Sequence, residues 1–158
     1  MSLRPSPSDD GATRRRKEEA IEILRADPGT DRERHYFDRI RLTHRALPDV
    51  NLDEVDTSVE FLGRKLSFPL VISSMTGGSS DRLRRVNRNL AAAAEATGVA
   101  MGVGSMRVML EHPEAAESFN LRPVAPSALL MANLGAAQLA RGWGVEECRR
   151  IVEHLRAD

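Results

Sequence analysis

The chain contains one cysteine in 158 residues, Cys148, so no disulfide can form within it. No Cys-x-x-Cys and no paired Cys and His spacing offers a zinc site, and no metal-binding motif is visible elsewhere. Charge of one sign is also lacking: 23 basic side chains face 23 acidic ones. A general attraction to nucleic acid or to an anionic membrane surface needs a basic excess, so neither is expected as a partner, and any anion site must be local. No apolar run approaches the roughly 18 residues of a membrane span, and MSLRPSPSDDGATRRRK lacks the apolar stretch of a secretion signal. These absences point to a cytoplasmic protein. What remains, 41% hydrophobic and 29% charged, is the composition of one ordinary globular domain.

Residues 1–13 are rich in Pro, Ser, Asp and Gly and read as a disordered tail, since they cannot bury enough apolar surface to offset their ordering entropy. From Arg14 to about Ile23 good helix formers predominate until ADPGTD breaks the run. The remainder of the 14–67 segment mixes short apolar pieces with LPDVNLDEVD and FLGRKL and reads as an irregular approach holding one hairpin. The 68–158 segment differs. PLVISSM (69–75), VAMGV (99–103) and ALLMAN (128–133) are continuous apolar runs, as expected of strands buried on both faces of a parallel sheet.

After the first strand Ser80 can cap a helix with Asp81 in its first turn. Leu83, Val86, Leu90 and Ala94 recur at helical spacing until Gly98 ends it. A short helix beginning near Pro113, with Ala116 and Phe119 on one side, follows the second strand. Val145, Cys148, Ile151, Val152 and Leu155 mark the stripe of a third helix, where Cys148 reads as a small core residue. The fold class is therefore α/β, with three βα units recurring about every 30 residues. Eight such units would make a (β/α)8 barrel of about 250 residues, and a doubly wound open sheet uses the same right-handed unit.

In both architectures ligands bind at the C-terminal strand ends. Here these are Ser74-Met75-Thr76-Gly77-Gly78, Gly104-Ser105-Met106-Arg107 and Asn133-Leu134-Gly135. Glycines permit close backbone approach, Ser, Thr and Asn offer short hydrogen bonds to a heterocycle, and the forked guanidinium of Arg107 suits phosphate. Each turn has a plain structural reading too, since glycine after a strand often only turns the chain, and Met75 serves equally as core filler. GVGSMR is not a dinucleotide fingerprint, because Arg107 stands where the third glycine belongs, and no Walker lysine follows MTGG. Arg14-Arg15-Arg16-Lys17 reads on spacing alone as a solvated helix face, and His44 as a surface residue.

THRALPDVNLDEVDTSVEFLGRKLSFPLVISSMTGG, VNRNLAAAAEATGVAMGVGSMR, LMANLGAAQL and GVEECRRIVEHLRAD resemble the signature runs of type 2 isopentenyl-diphosphate isomerases over roughly residues 14–158. The resemblance implies a TIM (β/α)8 barrel, of which this chain would hold about the first three units after an N-terminal extension. It implies an enzyme interconverting isopentenyl and dimethylallyl diphosphate with FMN, Mg²⁺ and NADPH, the reduced flavin acting as an acid–base group. It further implies that Ser74, Met75, Thr76, Ser105 and Asn133 contact FMN, and that Arg16, Lys17 and Arg107 hold the substrate diphosphate.

The chain departs from the family pattern at two points. Ala20 stands where Arg-Lys-x-x-His places an imidazole, and Met106 replaces the glutamine of Gly-Ser-Gln-Arg, which would weaken polar contacts near the flavin. The resemblance places the metal-binding carboxylate and the remaining flavin ligands beyond Asp158, so no catalytic residue is identified here. The 158 residues alone are expected to be inactive and to bind FMN weakly. Relatives of full length are expected to be homo-oligomers, and a second chain carrying the C-terminal part is one way to complete the site. The alternative readings are a non-catalytic remnant or binding module that needs a partner, and another flavin barrel of the hydroxyacid oxidase kind.

Overall fold

The computed structural model describes residues 10–27, 29 and 36–158. Helix α1 spans Asp10–Ala26. Its start takes in the last four residues of the segment read as a tail, and residues 1–9 lie outside the described part. The helix closes at Asp27, whose carboxylate accepts a hydrogen bond from the Gly29 amide at 2.9 Å. Between residues 36 and 58, apart from the two single 3-10 turns Tyr36–Arg39 and Leu52–Glu54, the chain runs without helix or strand.

The hairpin expected before residue 67 pairs β1 (Val59–Phe61) with β2 (Arg64–Leu66), Glu60 opposite Lys65. Its two turn residues, Leu62 and Gly63, both have positive φ (50° and 71°), the mirror-image turn that matches strand twist. Leu66 is the one hairpin residue fully buried, and it packs with Ala100 and Leu129 where two later strands begin. The hairpin therefore closes the N-terminal end of the main sheet.

That sheet has three parallel strands in the order β3 (Val71–Ile72), β4 (Ala100–Gly102), β5 (Leu130–Met131). Val71 lies opposite Ala100, and Met101 opposite Leu130. Central β4 is buried throughout. The run 69–75 was expected to be buried on both faces, but Leu70, Val71 and Met75 are exposed. The reason is topological: β3 is an edge strand, and among the described residues nothing lies on its other side. The regular strands are also shorter than the apolar runs, because ladder pairing ends where the chain turns out of the sheet. Among the described residues the sheet is open, with no closed barrel.

Helix α2 (Asp81–Thr97) has the predicted ends. Ser80 Oγ accepts from the Leu83 amide at 3.3 Å, and Gly98 closes the last turn in the left-handed region at φ 67°. Its buried face is Leu83, Asn87, Ala91 and Ala94, so Val86 and Leu90 fall on the half-buried flank. After β4 the first helical turn is α3 (Arg107–Glu111), earlier than the helix expected from Pro113. Pro113 forces His112 to be extended, which ends α3, and a 3-10 stretch over Pro113–Phe119 follows. With three residues per turn, Ala115 and Ser118 share its buried side, Phe119 is buried beside them, and Ala116 is half-buried.

A short α4 (Ala136–Ala140), not foreseen in the sequence, precedes α5 (Val145–Leu155). On α5 only Ile151 and Leu155, four apart, are buried. Val145 and Val152 are exposed and Cys148 is half-buried, so the core stripe is narrower than its apolar composition indicated. The core lies between the sheet and α2, α3, the 3-10 stretch and α5, around Met101, Val103, Met106, Phe119, Leu121 and Leu130. None of the described helices is long and apolar enough to cross a membrane.

Candidate functional site

The three strand-end turns meet because their backbones are bonded to one another. The Gly104 amide donates to the Thr76 carbonyl at 2.8 Å, and the Met106 amide donates to the Asn133 carbonyl at 2.8 Å. The second turn therefore sits between the first and the third. Gly104 is required at this seam, because a Cβ there would lie 2.2 Å from the Thr76 carbonyl oxygen. Gly77 and Gly78 have φ of 146° and 153°, and a Cβ on either would strike Phe119 or Leu83. The glycines expected to admit a ligand thus make room for the protein's own core.

Around this seam Ser74 and Met75 are exposed, and Ser105 and Asn133 are half-exposed. Thr76 is different: it is buried, and its hydroxyl donates to the Asn87 carboxamide oxygen. Asn87 Nδ2 in turn donates to the Ser118 carbonyl at 3.0 Å and lies 3.3 Å from its Oγ, while the Gly78 amide reaches that Oγ at 3.4 Å. This buried network fixes the first turn against α2 and the 3-10 stretch. Neither Asn87 nor Ser118 was singled out in the sequence. The signal for Asn87 was an amide four residues after Leu83 and four before Ala91, on the face that had to be buried.

Cations border the same end of the sheet. Lys17 Nζ donates to the Gly77 carbonyl oxygen, so α1 delivers its lysine to the first turn. An ion pair between Arg82 and Glu22 also joins α1 to α2. Arg16 is exposed on α1 and Ala20 is half-buried. Arg107 opens α3 directly after the second turn, and its Nη1 lies 2.5 Å from Glu111 Oε2, with the two side chains only 15% and 13% exposed. Glu111 was not anticipated, although its i+4 spacing from Arg107 is the ordinary sign of a helical ion pair. Met106 is fully buried, and its thioether packs in the core. His44 is exposed.

Hydroxyl and carboxamide donors beside a thioether suit the edge of a planar heterocycle, and the neighbouring cations suit its phosphate or a phosphorylated substrate. The donor set thus fits a flavin mononucleotide in kind. Among the described residues no group of three His, Cys, Asp or Glu is placed to hold a metal. A cavity of about 270 Å³ lies at the opposite end, lined by Arg64, Lys65, Glu95 and Ser127 among others. Its carboxylate is committed to the backbone: Glu95 accepts from the Ser127 and Ala128 amides at 2.9 and 2.7 Å. Donation from the Ser127 hydroxyl is the main reason that the Glu95 pKa lies below its ordinary value.

An open parallel sheet with helical crossovers, bearing polar side chains and cations at its C-terminal strand ends, defines an α/β protein of the ligand-binding kind. More narrowly, the chain belongs to the FMN-dependent dehydrogenase family, whose model matches residues 22–133. It is 54% identical over 143 residues to an isopentenyl-diphosphate delta-isomerase of Paracoccus zeaxanthinifaciens, covering 90% of this chain and 41% of that protein. Proteins of the same name from Hydrogenovibrio crunogenus and Deinococcus radiodurans are 48% and 51% identical, over 94% and 77% of this chain and 43% and 36% of theirs. The chain thus spans about two fifths of the length of these curated relatives.

Proposed function

We propose that these residues are the N-terminal part of a (β/α)8-barrel enzyme that interconverts isopentenyl and dimethylallyl diphosphate. The observation that carries this reading is the convergence of the three strand-end turns, with Lys17 brought onto Gly77 and Arg107 set beside them. The names of the relatives supply the substrate. In this reading Ser74, Met75, Ser105 and Asn133 would hold FMN with their side chains. Thr76, whose hydroxyl is already bonded to Asn87, would offer backbone groups. Reduced flavin supplies an acid–base group for moving a proton between the allylic carbons, with NADPH as its reductant and Mg²⁺ on the diphosphate. Arg16, Lys17 and Arg107 hold the diphosphate, and that binding orients the small hydrocarbon tail. The cytoplasm is the compartment that suits such a substrate.

A fusion of residues 1–158 to the segment of the Paracoccus relative beyond the matched region tests the reading. Turnover of isopentenyl diphosphate by the fusion is expected; a folded, FMN-loaded fusion without turnover would overturn it. Residues 1–158 alone are expected to bind FMN weakly and to show no turnover, and tight binding by a monodisperse species in flavin fluorescence and size-exclusion chromatography would refute that. A second reading, a binding module that needs a partner chain or further copies of itself, is favoured by Leu42, Leu47 and Leu52, which are 89%, 94% and 90% exposed. Aggregation of residues 1–158, relieved only by a complementing chain, would favour it.

A further inference from the structure

We infer that Glu111 is a positioning residue for Arg107, holding the guanidinium ready for a diphosphate at the mouth of the sheet. The inference rests on the diphosphate reading above and adds a residue to it. Arg107 and Glu111 are one helical turn apart on α3, joined at 2.5 Å and largely withdrawn from solvent. An ion pair at i,i+4 spacing is an ordinary feature of a helix and by itself points to no ligand. Its position is what distinguishes it. Arg107 directly follows Met106, whose amide is bonded to Asn133, and lies three residues after Gly104, whose amide is bonded to Thr76. The backbone under Arg107 is thus fixed by both neighbouring turns, and Glu111 fixes the other end of the side chain.

Two opposing effects decide what that carboxylate does to anion binding. An unrestrained arginine loses side-chain entropy when it is immobilised on a ligand, equivalent to a factor of about 10–30 in affinity, and Glu111 removes most of that loss in advance. Its negative charge also repels the incoming anion. Met75 at the mouth is 45% exposed and Ser74 is exposed, so the intervening medium is close to water, where repulsion at a separation on the order of 7 Å amounts to a factor of about 3 for each charge on the anion, or about 7 for a dianion. Positioning wins. The carboxylate is not a catalytic residue; it acts through Arg107.

The test is calorimetric titration of the 158-residue chain with inorganic pyrophosphate, in a cycle of Arg107→Ala, Glu111→Ala and the double variant. Glu111→Ala is expected to weaken pyrophosphate binding about 1.5–4-fold in the parent background and to have no further effect once Arg107 is alanine. Glu111→Gln keeps an oxygen acceptor and the side-chain shape, and is expected to recover most of the loss and to guard against misfolding. Equal weakening in both backgrounds would mean a merely structural role and overturn the inference, as would unchanged or tighter binding by Glu111→Ala. If Arg107→Ala leaves pyrophosphate binding untouched, the diphosphate reading itself fails and takes this inference with it; a parent chain that binds none overturns the inference that these residues hold Arg107 ready, while the reading of the whole enzyme is then decided by the fusion.

Discussion

The Thr76 hydroxyl donates to the Asn87 carboxamide oxygen, and both side chains are shut away from solvent. This bond joins the first strand-end turn to α2, and through Ser118 the same carboxamide reaches the 3-10 stretch. A buried amide that serves three elements cannot be lost without leaving several polar groups unpaired.

Asn87→Ala is expected to destabilise the chain by about 2–3 kcal/mol, because the Thr76 hydroxyl and the Ser118 carbonyl both lose a partner in the interior. Thr76→Val, which removes a single donor, should cost less. Urea unfolding of the two variants gives the comparison, and equal, negligible losses would show that the network holds nothing.

Gly104→Ala and Gly144→Ala form a matched pair. A Cβ on Gly104 would lie 2.2 Å from the Thr76 carbonyl oxygen, a backbone atom that cannot swing away, whereas a Cβ on Gly144 meets nothing within 4 Å. The first change should cost about 1–3 kcal/mol through overpacking, and the second should stay within about 0.5 kcal/mol. Thermal melts that do not separate them would contradict the close seam between the turns.

Leu62 sits at φ 50° in the hairpin turn, a region that leucine rarely adopts and asparagine tolerates. Leu62→Asn is expected to stabilise the chain by about 0.5–1 kcal/mol, since Leu62 is exposed and loses no packing. A lower midpoint in urea would show that the leucine makes a contact of value.

Acid should loosen the N-terminal end of the sheet. Glu95 is held below its ordinary pKa, chiefly by the Ser127 hydroxyl. For Asp158 desolvation acts upward but is outweighed by the Leu130 amide and Arg122, so its net shift is also downward. Folded values below the unfolded ones mean that both carboxylates add stability above the ordinary range near pH 4, and that this is lost as pH falls through the lower folded values. Glu95→Gln should flatten the acid limb of stability against pH. An unchanged limb in that variant would place the acid sensitivity elsewhere.

The local elements were legible wherever one short stretch carries its own instruction. Ser80 and Gly98 bound α2 as their capping chemistry requires, and FLGRK makes its hairpin. The βα order and the converging turns were readable too, because parallel strands with helical crossovers put every C-terminal strand end on the same side. α3 was missed because five residues are too few to show a period, and α4 for the same reason.

What the sequence determined by itself is the set of local choices: which residues cap, which break, and which short polar side chains follow each strand. Only the tertiary structure decided how those residues are used. It made β3 an edge and so exposed Val71, and it turned Met106 inward. It also filled the space beside Gly77 with Phe119 and committed Thr76 to Asn87, leaving Ser74, Met75, Ser105 and Asn133 toward solvent. The physical reason is that capping and turn preferences are settled within a few residues, while burial depends on neighbours 11 to 40 positions away.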